Sequence, residues 1–205
     1  PYRGLQANDT DALVAEVEGD PAITVMTDAQ VTKTEGMPGN FTVHVRRGGT
    51  EQVETVGAIV VATGWRPYDP KNLGHLGYGA SPDVVTNVEL ETMLASGAVT
   101  RKSDGRAPKT VVFIQCAGSR DPDHLPYCSS ICCRVSIKHA LQLLEADPEV
   151  MVYILYDELR TPGTAEEFYR QAQEAGVIFM KGKVKSVDGD LTVTFMDELL
   201  GMEIP

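Results

Sequence analysis

The sequence is most informative first through what it is short of. No apolar run approaches the roughly 18–20 residues that a helix needs to cross a bilayer, so no direct membrane span is expected. Basic residues number 18 against 29 acidic ones, a formal charge of −11. A nucleic-acid-binding face needs the opposite balance, so no nucleic-acid partner is expected. No charged-then-apolar leader opens the chain, and no internal repeat or low-complexity tract interrupts it. Cysteines number four among 205 residues, too few and too clustered for a secreted disulfide scaffold. That usage points to the reducing cytoplasm, where grouped thiols serve metal or redox chemistry. What remains is an ordinary globular composition, 42% apolar and 23% charged, long enough to bury a core.

Pattern reading divides the chain into two parts. Residues 10–17 have the spacing of a short helix opened by Asp9 or Thr10. Short β-rich runs follow at 22–26, 29–34, 41–47 and 52–56, punctuated by Pro38-Gly39-Asn40 and by Gly48-Gly49. The run GAIVVATGW (57–65) is apolar throughout, the pattern of a strand buried on both faces. Residues 66–108 are loop-rich, with a short helix starting near Asn87 and a polar linker at 100–108. A domain boundary is therefore expected there, giving parts 1–104 and 105–205. In the second part VVFIQC, MVYILY and VIFMKGKV alternate with helical patterns over 129–146 and 164–176, and LTVTFM closes the series. Strand, helix, strand, helix, strand predicts an α/β fold with a parallel, Rossmann-like βαβαβ unit.

All four cysteines, Cys116, Cys128, Cys132 and Cys133, lie within QCAGSRDPDHLPYCSSICC (115–133). Cys116 is expected to end a buried strand, Cys128 to sit just before a helix, and Cys132 and Cys133 to lie in about its first turn. The carboxyl end of a strand facing a helix N-terminus is where open α/β sheets bind ligands. If the helix has begun by Cys128, that residue shares a face with Cys132, while Cys133 is turned about 100° away. Thiolates so spread suit the corners of a cubane iron–sulfur cluster. The dipole of the helix N-terminus suits an anionic group, and Arg120 and Arg134 add positive charge. Four other readings stand beside this one: a zinc site, although paired C-x2–4-C spacings are absent; a redox dithiol; a nucleophilic cysteine served by His124 or His139; and buried structural thiols.

The strings FIQCAGSRD, LPYCSSICC and IKHA (113–140) resemble the flavoprotein component of heterodisulfide reductases, their A subunit, and its counterpart in the quinone-interacting membrane-bound oxidoreductase, QmoA. GNFTVHV (39–45), VGAIVVATGWRPYDP (56–70), HLGYG (75–79) and GTAEEFYRQAQEAGVIFMKGKV (163–184) agree in the same order. The resemblance implies a thioredoxin-reductase-like flavoprotein with two dinucleotide-binding domains, which binds FAD and a [4Fe-4S] cluster. Carried over, it makes Cys116, Cys128, Cys132 and Cys133 the cluster ligands. It also places the turn Ala62-Thr63-Gly64 beside FAD and Val31 near the adenine. As partners it implies other subunits of a heterodisulfide-reductase-like or quinone-interacting complex, with adenylylsulfate reductase as redox partner, on the cytoplasmic face of a membrane.

Two departures qualify that picture. No G-x-G-x-x-G occurs, and the turn after VVFIQC holds the single Gly118 and a cysteine where a nucleotide-binding turn would place glycines. The chain is therefore expected to be an internal segment that binds FAD poorly by itself and no nicotinamide nucleotide. Second, only RRGGTEQVET joins GNFTVHV to VGAIVVATG, with no ferredoxin-like cysteine insert, which favours the quinone-interacting relative. Trp65 and Tyr68 are read as core, and Asp157 and Arg160 as surface residues. The Glu166-Glu167 pair is read as a dipole-matched helix start.

Overall fold

The computed structural model describes residues 8–205. They form two compact units that divide between Arg66 and Pro67, earlier in the chain than the boundary expected near residue 104.

The first unit holds helix α1 (Thr10–Gly19) and an antiparallel sheet of β1 (Ala29–Met37), β2 (Asn40–Arg47) and β3 (Thr50–Val56) in that order. Its turns are those that the punctuation foretold. Gly48 and Gly49 take φ of 54° and 82° between Arg47 and Thr50. Two consecutive positive φ angles make the type I′ hairpin that suits strand twist, and glycine adopts them without steric cost. Burial is slight: Val43 and Val45 of β2 are its buried apolar residues, and α1 buries none.

Two expectations fail in this unit. Residues 22–26 form no strand, and Ile23 and Val25 are exposed. The run 57–65 pairs with no strand among the described residues and lies open, with Val60 89% and Val61 79% exposed. An all-apolar run is stable as a strand only between ladder neighbours and beneath covering layers, and the described residues supply neither. Trp65, 62% exposed, is accordingly not core.

The second unit is built on a five-stranded sheet, β4 (Thr110–Ile114), β5 (Met151–Tyr156), β6 (Ile178–Val187), β7 (Val193–Asp197) and β8 (Met202–Ile204), ordered as in the chain. β4, β5 and β6 are parallel, as the alternating pattern requires, and are linked through α3 (Cys132–Ala146) and α4 (Ala165–Glu174). β7 and β8 turn back antiparallel, so the sheet is mixed. The five residues between β6 and β7 are too few for a crossover, and a hairpin is the only connection they allow.

α3 and α4 pack on the sheet through Ile137, Ala140, Leu143 and Phe168, against Phe113, Val152 and Ile154. The segment expected to be a linker belongs to this unit. α2 (Asn87–Ala95) starts at a capping box, Thr86 with Glu89, and places Leu90 in the same core. The polar stretch after it is pinned by Asp83, which accepts hydrogen bonds from the Ser103 N–H at 3.0 Å and hydroxyl at 2.6 Å. Among the described residues no helix is long and apolar enough to cross a membrane.

Candidate metal centre

The cysteine window occupies the carboxyl end of the parallel strands. β4 ends at Ile114, two residues before Cys116, and the Gln115 N–H makes one more ladder bond, to the Leu155 carbonyl at 2.8 Å. Cys116 then turns out of the sheet with φ 57°. Arg120 and Ser130 are also left-handed, at 62° and 58°, which puts three of the five such non-glycine residues described inside this window. Each costs on the order of 1 kcal/mol or more, and such strain persists where the surroundings over-determine it.

Between Cys116 and α3 the chain folds back on itself. Leu125 N–H donates to the Gly118 carbonyl at 2.9 Å and Arg120 N–H to the Tyr127 carbonyl at 3.1 Å, which brings Cys128 back towards Cys116. Gly118 is required by its neighbour. A Cβ there would stand 2.8 Å from the ring of Tyr68, whose hydroxyl is hydrogen-bonded to His124 Nδ1 at 2.7 Å. Tyr68 is thus a prop for the loop.

α3 begins at Cys132, later than the pattern at 129–146 suggested, so Cys128 lies in the loop and shares no helical face with Cys132. Cys132 and Cys133 are its first two residues. Ile131 at the N-cap provides no side-chain acceptor, so no side chain caps the N–H groups of the first turn.

All four thiols are free. The sulfurs of Cys116 and Cys133 both face the Glu158 carbonyl, at 3.8 and 4.0 Å, so they lie no further apart than those two distances together. The N–H of Arg160 donates to the Cys133 sulfur at 3.4 Å, and that of Ser130 to the Cys128 sulfur at 3.4 Å. A hydrogen bond from the Cys132 thiol lowers the pKa of Cys133 to about 6, helped by the Arg160 N–H, and the same bond raises that of Cys132. Cys132 also feels the charges of Cys116 and Cys128, so the four side chains share one electrostatic neighbourhood. Burial pushes the Cys116 thiol up.

The donor set fits an iron–sulfur cluster in its chemistry. Thiolate is the ligating form, and one member is already displaced towards it. Among the described residues no three His, Cys, Asp or Glu side chains close around a single metal ion. The histidines are drawn elsewhere: His124 to Tyr68, and His139, fully buried, to Glu91 Oε2 at 2.5 Å. Arg134 reaches the Ser130 carbonyl at 3.4 Å, and the buried Nε of Arg120 has no partner among the described residues.

The flavin residues inferred from resemblance are placed differently. Val31 lies in β1 and Ala62, Thr63 and Gly64 in the unpaired extended run, and all four are exposed. By themselves these four residues enclose no flavin.

Sequence reasoning missed the loop after β5. Asp157 and Arg160 read as surface residues because the glycine turn that would give them a nucleotide to bind is absent. The loop nevertheless serves the thiols, through main-chain atoms of Glu158 and Arg160 that carry no signature in residue type.

No family model matches the chain. It is 40% identical over 164 residues to the A subunit of the H2:CoB-CoM heterodisulfide,ferredoxin reductase of Methanothermobacter marburgensis, covering 74% of this chain and 25% of that protein. It is 41% identical over 161 residues to the A subunit of the ferredoxin/F420H2-dependent CoB-CoM heterodisulfide reductase of Methanosarcina acetivorans, covering 73% and 20%. An iron-sulfur A subunit of the CoB–CoM heterodisulfide reductase of Methanopyrus kandleri is 39% identical over 161 residues, covering 72% and 24%. The chain thus spans a quarter or less of the length of these relatives. Over that shared segment the chain belongs to the family of heterodisulfide reductase A subunits.

Proposed function

We propose that Cys116, Cys128, Cys132 and Cys133 hold a [4Fe-4S] cluster and that the chain is the cluster-bearing segment of an electron-transfer oxidoreductase subunit. The observation that carries this reading is the meeting of Cys116 and Cys133 at one carbonyl, with Cys132 coupled to both, at a helix start that no side chain caps. When bound, such a cluster supplies a one-electron store at a potential set by its surroundings. The chain's own part is to present thiolate and to lower its charge. Cys133 is shifted towards thiolate by Cys132, and the Arg160 N–H stabilises negative charge on its sulfur. The dipole of α3 acts in the same sense.

The whole subunit is proposed to have a thioredoxin-reductase-like fold and to pass electrons between FAD and the cluster. Val31 and Ala62–Gly64 would contribute one wall of a flavin site that other parts of that subunit complete. Its proposed partners are the further subunits of a heterodisulfide-reductase-like or quinone-interacting complex, with adenylylsulfate reductase the redox partner in the second case. The short join RRGGTEQVET (46–55) between GNFTVHV and VGAIVVATG, with no ferredoxin-like cysteine insert, supports the quinone-interacting branch.

The deciding experiment is iron and acid-labile sulfide analysis with EPR on the chain reconstituted anaerobically, beside a Cys132→Ser variant. About four irons and four sulfides per chain are expected, with loss or an altered spectrum in the variant. Zinc without sulfide, or four thiols that stay titratable after iron and sulfide are supplied, would overturn the assignment.

A further inference from the structure

Gln115 stands immediately before Cys116, and only 8% of it is exposed. A long polar side chain in such a place needs a partner. Its Nε2 donates to the hydroxyl of Ser136 at 2.6 Å. Ser136 is wholly buried on α3, one turn beyond Cys132 and Cys133, and accepts a second, longer bond from Asn87 Nδ2 at 3.4 Å. A serine hydroxyl can donate as well as accept, so the link survives either orientation of the Gln115 amide.

The position of this bond matters more than its existence. The Gln115 backbone is tied to β5 through Leu155, so its side chain starts from a fixed point on the sheet. The side chain ends on the first turns of the helix that carries two of the thiols. It therefore spans the gap that Cys116 on one side and Cys132 and Cys133 on the other must bridge together. A core needing only adhesion would fill that gap with an apolar residue, as Phe113 does two positions earlier, where it packs against the His139 ring. Gln115 Oε1 is buried and has no partner among the described residues, a desolvation cost that apolar packing would avoid.

We propose that the Gln115–Ser136 hydrogen bond is a positioning clamp that sets the separation of Cys116 from Cys132 and Cys133. The inference rests on the cluster reading above. Directed bonds hold a distance where apolar contacts slide, and ligands to a polyhedral cluster must be held to within about half an ångström.

The test uses Gln115→Met, Ser136→Ala and the two combined in the 205-residue chain, with Ser136→Thr as the variant that keeps the hydroxyl. Three quantities are read: the rate of iron loss to a chelator, the yield of Cys116–Cys133 cross-linking in metal-free protein by a thiol-bridging reagent of fixed span, and the thermal midpoint. Each single variant should lose iron about five-fold faster, the rate equivalent of one buried hydrogen bond. The double variant should be no faster than either single, and Ser136→Thr should stay near wild type. Cross-linking yield should fall in step. Unchanged iron loss and cross-linking beside a lowered midpoint would reduce the bond to ordinary core stability and overturn the clamp. A wild type that takes up no iron, with cross-linking still dependent on Gln115, would keep the clamp as a thiol-spacing device and sink the cluster assignment. Should Gln115→Met fail to fold, Ser136→Ala carries the same test.

Discussion

The backbone N–H of Arg160 donates to the sulfur of Cys133 across 3.4 Å, joining the loop after β5 to the first turn of α3. In a nucleotide-binding unit this loop reads the ribose and the preceding strand turn cradles phosphate. Here the turn carries Cys116 and the loop serves sulfur. In both, a strand end faces a helix start, and here the groups directed into that gap are thiols.

Cys133 is held near a pKa of about 6 chiefly by the Cys132 thiol. In metal-free protein its alkylation should therefore rise through mildly acidic pH, well before an ordinary thiol reacts. Cys132→Ala should move that rise upward by more than Arg160→Ala does, since Arg160→Ala keeps the N–H and removes only the charge. Alkylation rate against pH, with the site located by mass spectrometry, measures both. An unmoved profile in Cys132→Ala would mean that the two thiols do not share a proton.

Cys116 occupies a left-handed backbone conformation, φ 57°, which glycine adopts freely and other residues do not. Cys116→Gly should therefore be more stable than Cys116→Ala by about 1 kcal/mol, although both lose the sulfur. Comparing Gly with Ala removes the lost side-chain contacts from the difference. Chemical denaturation reads it, and equal stabilities would show that the loop relaxes and that no strain is kept for the thiol.

Much of this arrangement was readable in the sequence, for reasons that differ by element. The βαβαβ unit was legible because strands buried on both faces and amphipathic α4 leave strong periodicities, and the hairpins because Gly48-Gly49 can hardly be anything else. The thiols announced themselves by clustering. The run 57–65 misled because pattern records what a segment needs, while the neighbours that would satisfy it are not among the described residues. The antiparallel return of β7 was hidden because residue type does not encode strand direction; only the short connection does. Gln115, Ser136 and His139 left a faint trace, as polar residues on a buried strand end and on the buried face of α3. The main-chain contacts of Glu158 and Arg160 left none.

Gly118 offers a stability prediction at the same loop. Its φ is 76°, and an added Cβ would meet Tyr68 Cδ1 and Cε1 at 2.8 Å. Gly118→Ala should cost about 2–3 kcal/mol, part from the backbone and part from the ring. In a Tyr68→Ala background the second part disappears, so the cost should fall to about 1 kcal/mol. A double-mutant cycle by thermal unfolding measures this coupling. Additive losses would show that the ring moves aside and is no prop.

Acid should weaken the α2–α3 seam in two stages. His139 is wholly buried, its Nδ1 has no partner among the described residues, and its Nε2 is bonded to Glu91, which also holds Lys138. Burial lowers the His139 pKa below the ordinary 6.5 and outweighs the opposing pull of Glu91, with Lys138 adding to the lowering. The neutral ring donates Nε2–H to the carboxylate, and protonation would force a second N–H to be buried without an acceptor. The unfolded chain therefore takes up the proton first, and the stability is fully present above about pH 6.5 and lost as pH falls from there towards the lowered value. Glu91 is lowered below 4.5, mainly by its hydrogen bond from Lys138, so its share is present above 4.5 and lost on further acidification. In a Cys133→Ser variant, where the lowered thiol adds no slope of its own at neutral pH, the thermal midpoint should be level in neutral solution, decline below about pH 6.5, and decline again below about 4.5. His139→Gln should remove the first decline and leave the second, and Glu91→Gln should blunt the second. A midpoint that rises as pH falls through 6.5 would mean that His139 is charged in the folded chain and paired with Glu91, reversing the assignment.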